Sequence, residues 1–152
     1  VMLTCTAFGR LADEVKAKVK IPVLAVLEII AEEAMGLSES IGILATHPGT
    51  LVSASEVIRE EAALRGKSVE IKTLLCEGAF DAVRREDWAT HDNIVLKHLN
   101  DLMEEVKVII IPQPSMERVV KQIPEASRKV PIMSSAHLSV QLLKEKLDSI
   151  AQ

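Results

Sequence analysis

The residues best suited to chemistry stand where apolar runs stop. Cys5 closes the first such run and has a hydroxyl residue on each side, Thr4 and Thr6. A thiol at the carboxyl end of a strand, ahead of a helix, faces the region where backbone N–H groups and the helix dipole favour an anionic ligand. As a thiolate it is a base as well as a nucleophile. Three later runs end in a similar way: one in Thr46-His47-Pro48-Gly49-Thr50, one in Pro112-Gln113-Pro114-Ser115 and one in Ser134-Ser135-Ala136-His137. Brought to one sheet edge, these segments would surround a small carboxylate with hydroxyls and N–H groups and set a thiol beside it for proton transfer.

The elements that must position these residues alternate along the chain. Strand signals fall at 1–4, 22–26, 41–46, 69–75, 108–111 and 130–133. Helical periodicity falls at 10–19, 28–35, 50–65, 77–85, 90–105 and 116–122, and again from Ser135 onward. The most regular helix carries Val95, Leu99, Leu102, Met103 and Val106 on one stripe. Gly36 reads as a helix stop, and Thr50, Ser53 and Ser135 as helix-cap hydroxyls. Strand–helix alternation predicts an α/β fold with a parallel sheet covered on both faces. Residues 39–135 would form one lobe, residues 1–38 the C-terminal part of a preceding lobe, and residues 136–152 a C-terminal helix. Because the sequence opens directly on the cysteine strand, the first lobe is expected to be incomplete.

Composition narrows the function classes. The 152 residues are 48% apolar, which supports a packed core rather than disorder. The formal net charge is −4, and the only aromatic residues are Phe8, Phe80 and Trp88, so neither electrostatic nor base-stacking recognition of nucleic acid is expected. The apolar stretch at 24–30 is too short to span a membrane and contains Glu28. Cys5 and Cys76 do not form a disulfide framework, which points to a reduced, cytoplasmic setting. No dinucleotide or P-loop glycine pattern occurs, and no His/Cys/Asp spacing suits a metal.

Taken in order, the motifs resemble the aspartate/glutamate and hydantoin racemase family. The Leu-Thr-Cys-Thr-Ala-Phe-Gly segment at 3–9 is similar to its first cysteine motif. The Ile-Gly-Ile-Leu-Ala-Thr-His-Pro-Gly-Thr segment at 41–50 resembles the strand and loop that open its second lobe. The Ile-Ile-Ile-Pro-Gln-Pro-Ser-Met segment at 109–116 falls where the second strand-end site lies, and Pro-Ile-Met-Ser-Ser at 131–135 resembles the last strand. The resemblance implies two similar α/β lobes with the active site between them, and cofactor-independent proton transfer by two opposed cysteines. Cys5 would be the first acid/base. Thr6, Ala7, Thr46, Gly49, Thr50, Gln113 and Ser115 would contact a small carboxylate or amino-acid substrate. A homodimer is also implied.

One departure is chemical. Gln113 occupies the position of the second cysteine, and an amide does not titrate in the ordinary range. Two alternatives therefore stand beside a racemase: a one-cysteine isomerase or decarboxylase-like relative, and a non-catalytic carboxylate-binding protein. Individual residues also carry plain readings. Cys76 closes an apolar run and is expected to pack. His47 stands either in the pocket wall or on an exposed loop. His91 and His98 read as helix residues, and His137 as an alternative acid to be tested.

Overall fold

Four consecutive aliphatic residues, Val108–Ile111, are buried at every position, which requires a strand covered on both faces. The computed structural model describes residues 1–6 and 11–150. The elements in chain order are β1 (Met2–Leu3), α1 (Ala12–Lys18), β2 (Leu24–Ala25), α2 (Val26–Leu37), β3 (Ser40–Ala45), α3 (Pro48–Leu64), β4 (Glu70–Leu75), α4 (Ala79–Arg84), α5 (Trp88–Met103), β5 (Val108–Ile111), α6 (Glu117–Val120), β6 (Ile132–Ser134) and α7 (Ser135–Ile150). Strands β1 and β2 form a parallel pair, and the other four form a parallel sheet in the order β4-β3-β5-β6.

This order reverses direction at β3 and β5. The chain leaves β3 toward β4 on one side and leaves β5 toward β6 on the other. The carboxyl ends of these adjacent strands therefore border a crevice, the usual ligand position in open parallel sheets. Strand alternation distributes the core between two layers. Ile41, Ile43, Val108 and Ile110 pack with α2 and α3, whereas Leu44, Ile109 and Ile111 pack with α5 and α6. The stripe on α5 is buried as its spacing predicts. Gly42 allows α5 to approach β3 closely: a Cβ there would lie 2.9 Å from Leu102 and Val106 side-chain atoms.

Helix α2 follows β2 directly and packs its Val26, Leu27, Ile30, Ala31 and Ala34 into the same core as β3, α3 and β5. Most element bounds shift by one or two residues from those expected, and two expected end signals do not act as read. Gly36 does not stop α2, which continues to Leu37 and ends where Ser38 N donates to Ala34 O (3.0 Å). A helical glycine costs at most about 1 kcal/mol, less near a helix end, and the buried face of α2 outweighs it. At the start of α7 the capping hydroxyl is Ser134, whose Oγ accepts from His137 N (3.3 Å), and not Ser135. Among the described residues, no helix is long and apolar enough to cross a membrane.

Candidate active site

The cleft at the β3/β5 crevice encloses about 510 Å3. Cys5 is exposed and contributes to one wall with Thr4 and Thr6. His47 and Thr50, at the start of α3, form the second wall, and Gln113, Pro114 and Ser115 after β5 form the third. Phe80 from α4 closes the side. The ends of β3 and β5 meet here because the two strands are neighbours in one parallel sheet. Cys5 follows β1 of the separate two-stranded sheet and so does not share that sheet edge as expected; packing of the two sheets brings it to the cleft.

Gln113 is fixed in orientation by β3. Its Oε1 accepts from Thr46 N (2.6 Å), and its Nε2 donates to Thr46 Oγ1 (2.9 Å). Thr46 N can only donate, so the amide atom facing it must be the oxygen. The lock joins the two strand ends across the crevice and leaves the second Nε2 hydrogen available to a ligand. Thr46 itself is buried, stands behind Gln113 and does not line the cleft. Its backbone N–H and hydroxyl both bond Gln113.

The wall containing Cys5 is tied to α3 by Ser53, whose buried hydroxyl donates to Thr6 O (3.0 Å). This hydroxyl is not a helix cap, and neither is Thr50, which lies inside the first turn. The cap of α3 is His47, whose Nδ1 accepts from Gly49 N (3.1 Å). In the neutral ring the proton then resides on Nε2. Gly49 contacts His47 rather than the cleft, and a Cβ at Gly49 would lie 3.2 Å from Nδ1. Pro48 at the helix start supplies the preset backbone angle of a first turn. The N-terminus of this 17-residue helix faces the cleft and favours a negative ligand group.

The remaining expectations divide. Ala7 lies outside the described residues. Cys76 is fully buried, and burial pushes its thiol up to about 12, so it does not supply a thiolate near neutral pH. His98 Nδ1 donates to Ile94 O (2.8 Å). His137 lies away from Cys5, in a separate cavity of about 300 Å3 lined by Glu117, Arg128 and Ser134. The turn and short helix after Gln113 are braced from α5. His91 Nδ1 donates to Asp92 Oδ1 (2.8 Å), while Asp92 Oδ2 accepts from Arg118 (3.0 Å) and Gln122 (3.1 Å). Burial raises the Asp92 pKa, but the hydrogen bonds from His91 and Gln122 and the Arg118 charge outweigh it and hold the carboxyl below its usual range. Arg118 also lies over the Trp88 ring at 4.6 Å. Among the described residues, no group of His, Cys, Asp and Glu side chains could hold a metal ion.

The sequence pattern placed Pro114 at a strand end and gave Ser53 a capping role, but it did not bring Phe80 to the site. Phe80 had a signal in its rarity, since it is one of two phenylalanines in the chain. The Ser53–Thr6 link joins residues 47 positions apart and has no local signature.

Comparisons with known proteins agree with this geometry at the level of fold. A family profile described as Asp/Glu/Hydantoin racemase matches residues 1–143. A glutamate racemase isoform from Bacillus anthracis superposes with a TM-score of 0.65 at 22% identity, over 95% of this chain and 57% of its own. A glutamate racemase from Francisella tularensis, solved with D-glutamate, gives 0.62 at 16% identity, over 96% and 57%. An allantoin racemase from Pseudomonas fluorescens gives 0.53 at 16%, over 86% and 54%. The chain thus spans a little over half the length of these structures. No curated protein sequence gave a match.

Proposed function

Because the chain belongs to the Asp/Glu/hydantoin racemase family, we propose that the Cys5 cleft moves the α-proton of a small amino acid or related carboxylate. The observation that carries this reading is the exposed Cys5 thiol in one cleft with Thr50, Ser115 and the oriented Gln113 amide. The carboxylate would face the start of α3, where the Thr50 hydroxyl and the helix dipole stabilise negative charge. The Cys5 thiolate would accept the α-proton and become a thiol. Negative charge developing on the substrate carboxylate would be held by the same donors and by the free Gln113 N–H. Return of the proton from the thiol would complete exchange without a cofactor.

Gln113 favours a second reading for stereochemistry. Its amide can donate a hydrogen bond but cannot deliver a proton to the opposite face. A single thiol would then produce one-sided proton return, as in an isomerase or decarboxylase-like relative. Residues 1–38 as the end of a first lobe, residues 39–135 as a second lobe, a cytoplasmic setting and a homodimer belong to the same proposal.

Solvent exchange at the α-carbon tests it. In D2O, the protein is expected to wash out the α-proton of at least one small acid, and Cys5→Ser is expected to abolish this. Exchange undiminished in Cys5→Ser would remove the thiol from the mechanism. Chiral analysis of the deuterated product separates the two stereochemical readings, since one-sided return keeps a single enantiomer.

A further inference from the structure

The cleft contains a feature that proton transfer does not use. Phe80 is 42% exposed although it is a large apolar side chain beside a well-filled core. Its ring meets His47 edge-on, with centroids 5.6 Å apart and an interplanar angle of 67°. His47 thus covers one margin of the ring, while the ring lines the cleft together with Pro114. Helix α4 reaches this position through Gly78, whose φ of 80° turns the chain sharply after Cys76. Other lining residues carry hydroxyls and the thiol. Among the described lining residues, none has a permanent charge: they are threonines, a serine, a glutamine, a cysteine, a proline, Phe80 and His47. The cleft therefore combines hydrogen-bond donors that suit an anion, at Thr50 and the start of α3, with a flat apolar surface, at Phe80 and Pro114.

We propose that the substrate is a monocarboxylate whose α-carbon bears an uncharged, flat or apolar substituent, and that Phe80 selects it. The carboxylate occupies the α3 end and the substituent lies against the Phe80 ring, which sets the α-carbon between them beside Cys5. A second carboxylate at that position would lie against an aromatic face with no cation among the described lining residues to offset the loss. This assignment rests on the proposed function for the location of the site, but its test does not depend on turnover.

Equilibrium binding of phenylacetate and succinate to the full chain provides the test, by calorimetry at constant ionic strength. Phenylacetate is expected to bind at least tenfold more tightly than succinate. In Phe80→Ala, phenylacetate affinity is expected to fall about tenfold, the scale of a lost aromatic pair with its buried area. Succinate affinity is expected to stay within twofold, and Phe80→Leu to fall between wild type and Phe80→Ala. A melting curve on each variant checks folding. Tighter binding of succinate, an unchanged preference in Phe80→Ala, or no binding of either acid would overturn the assignment. Preserved preference without α-proton exchange would overturn the proton-transfer reading and leave the substrate class standing.

Discussion

Removing the Gln113 side chain should open the crevice between β3 and β5. Gln113→Ala deletes two hydrogen bonds, Thr46 N to Oε1 at 2.6 Å and Nε2 to Thr46 Oγ1 at 2.9 Å. Each contributes about 1 kcal/mol net, and the Thr46 N–H is left buried without a partner at a further cost of about 1–3 kcal/mol. The expected loss is therefore about 3–5 kcal/mol, seen as a lower urea midpoint at unchanged slope. Gln113→Glu separates this lock from any role toward ligand. Its carboxylate still accepts from Thr46 N and, after rotation of the hydroxyl, from Thr46 Oγ1, so most of the stability should return. Its negative charge faces the carboxylate site, so acid binding should fall at least tenfold. Urea unfolding and calorimetry on the three proteins give both quantities. A loss below about 0.5 kcal/mol in Gln113→Ala would refute the lock. Equal affinity in Gln113→Glu would refute a carboxylate near Gln113.

Four further outcomes follow from the geometry. A thiol reagent at neutral pH should label Cys5 rapidly and Cys76 only after unfolding, because Cys5 is exposed and Cys76 is buried with its thiol pushed up to about 12. Burial raises the folded pKa of Cys76, so the folded state keeps a proton that the unfolded chain releases; stability should fall as pH rises from about 9 toward 12, by at most roughly 1.4 kcal/mol per unit, and Cys76→Ala should flatten that slope. Gly42→Ala should cost about 1–3 kcal/mol in chemical denaturation, since the new methyl group meets Leu102 and Val106 at 2.9 Å in a filled core. His47→Ala should weaken the start of α3 by about 1 kcal/mol, and His47→Asn should restore most of it, because asparagine can also accept from the first-turn N–H groups.

Much of this protein was legible in its sequence because periodicity reports burial directly. The aliphatic run at 108–111 reads as a doubly covered strand, and the spacing of Val95, Leu99, Leu102 and Val106 as the buried side of a helix. Both are as expected. Strand–helix alternation also dictated parallel pairing, and parallel pairing brings strand ends to one edge. For that reason Thr50, Gln113 and Ser115 could be gathered as candidates without coordinates, whereas Cys5 ends a strand of the separate two-stranded sheet and reaches the cleft through tertiary packing. Chemistry that depends only on residue type was equally accessible: no fold makes the Gln113 amide a proton carrier.

What tertiary structure alone decided concerns direction and distance. Strand order fixes the crevice between β3 and β5, and that order depends on which helices cover which face, a property shared by the whole core. Local sequence could not show that Thr46 holds Gln113, because the bond spans 67 positions. Nor could it show that His137, also at a strand end, lies in another cavity while Phe80 lies in the Cys5 cleft. Side-chain pattern specifies whether a residue is buried or exposed. Which neighbours it meets is settled only when the layers pack, since contacts between residues distant in the chain have no local signature.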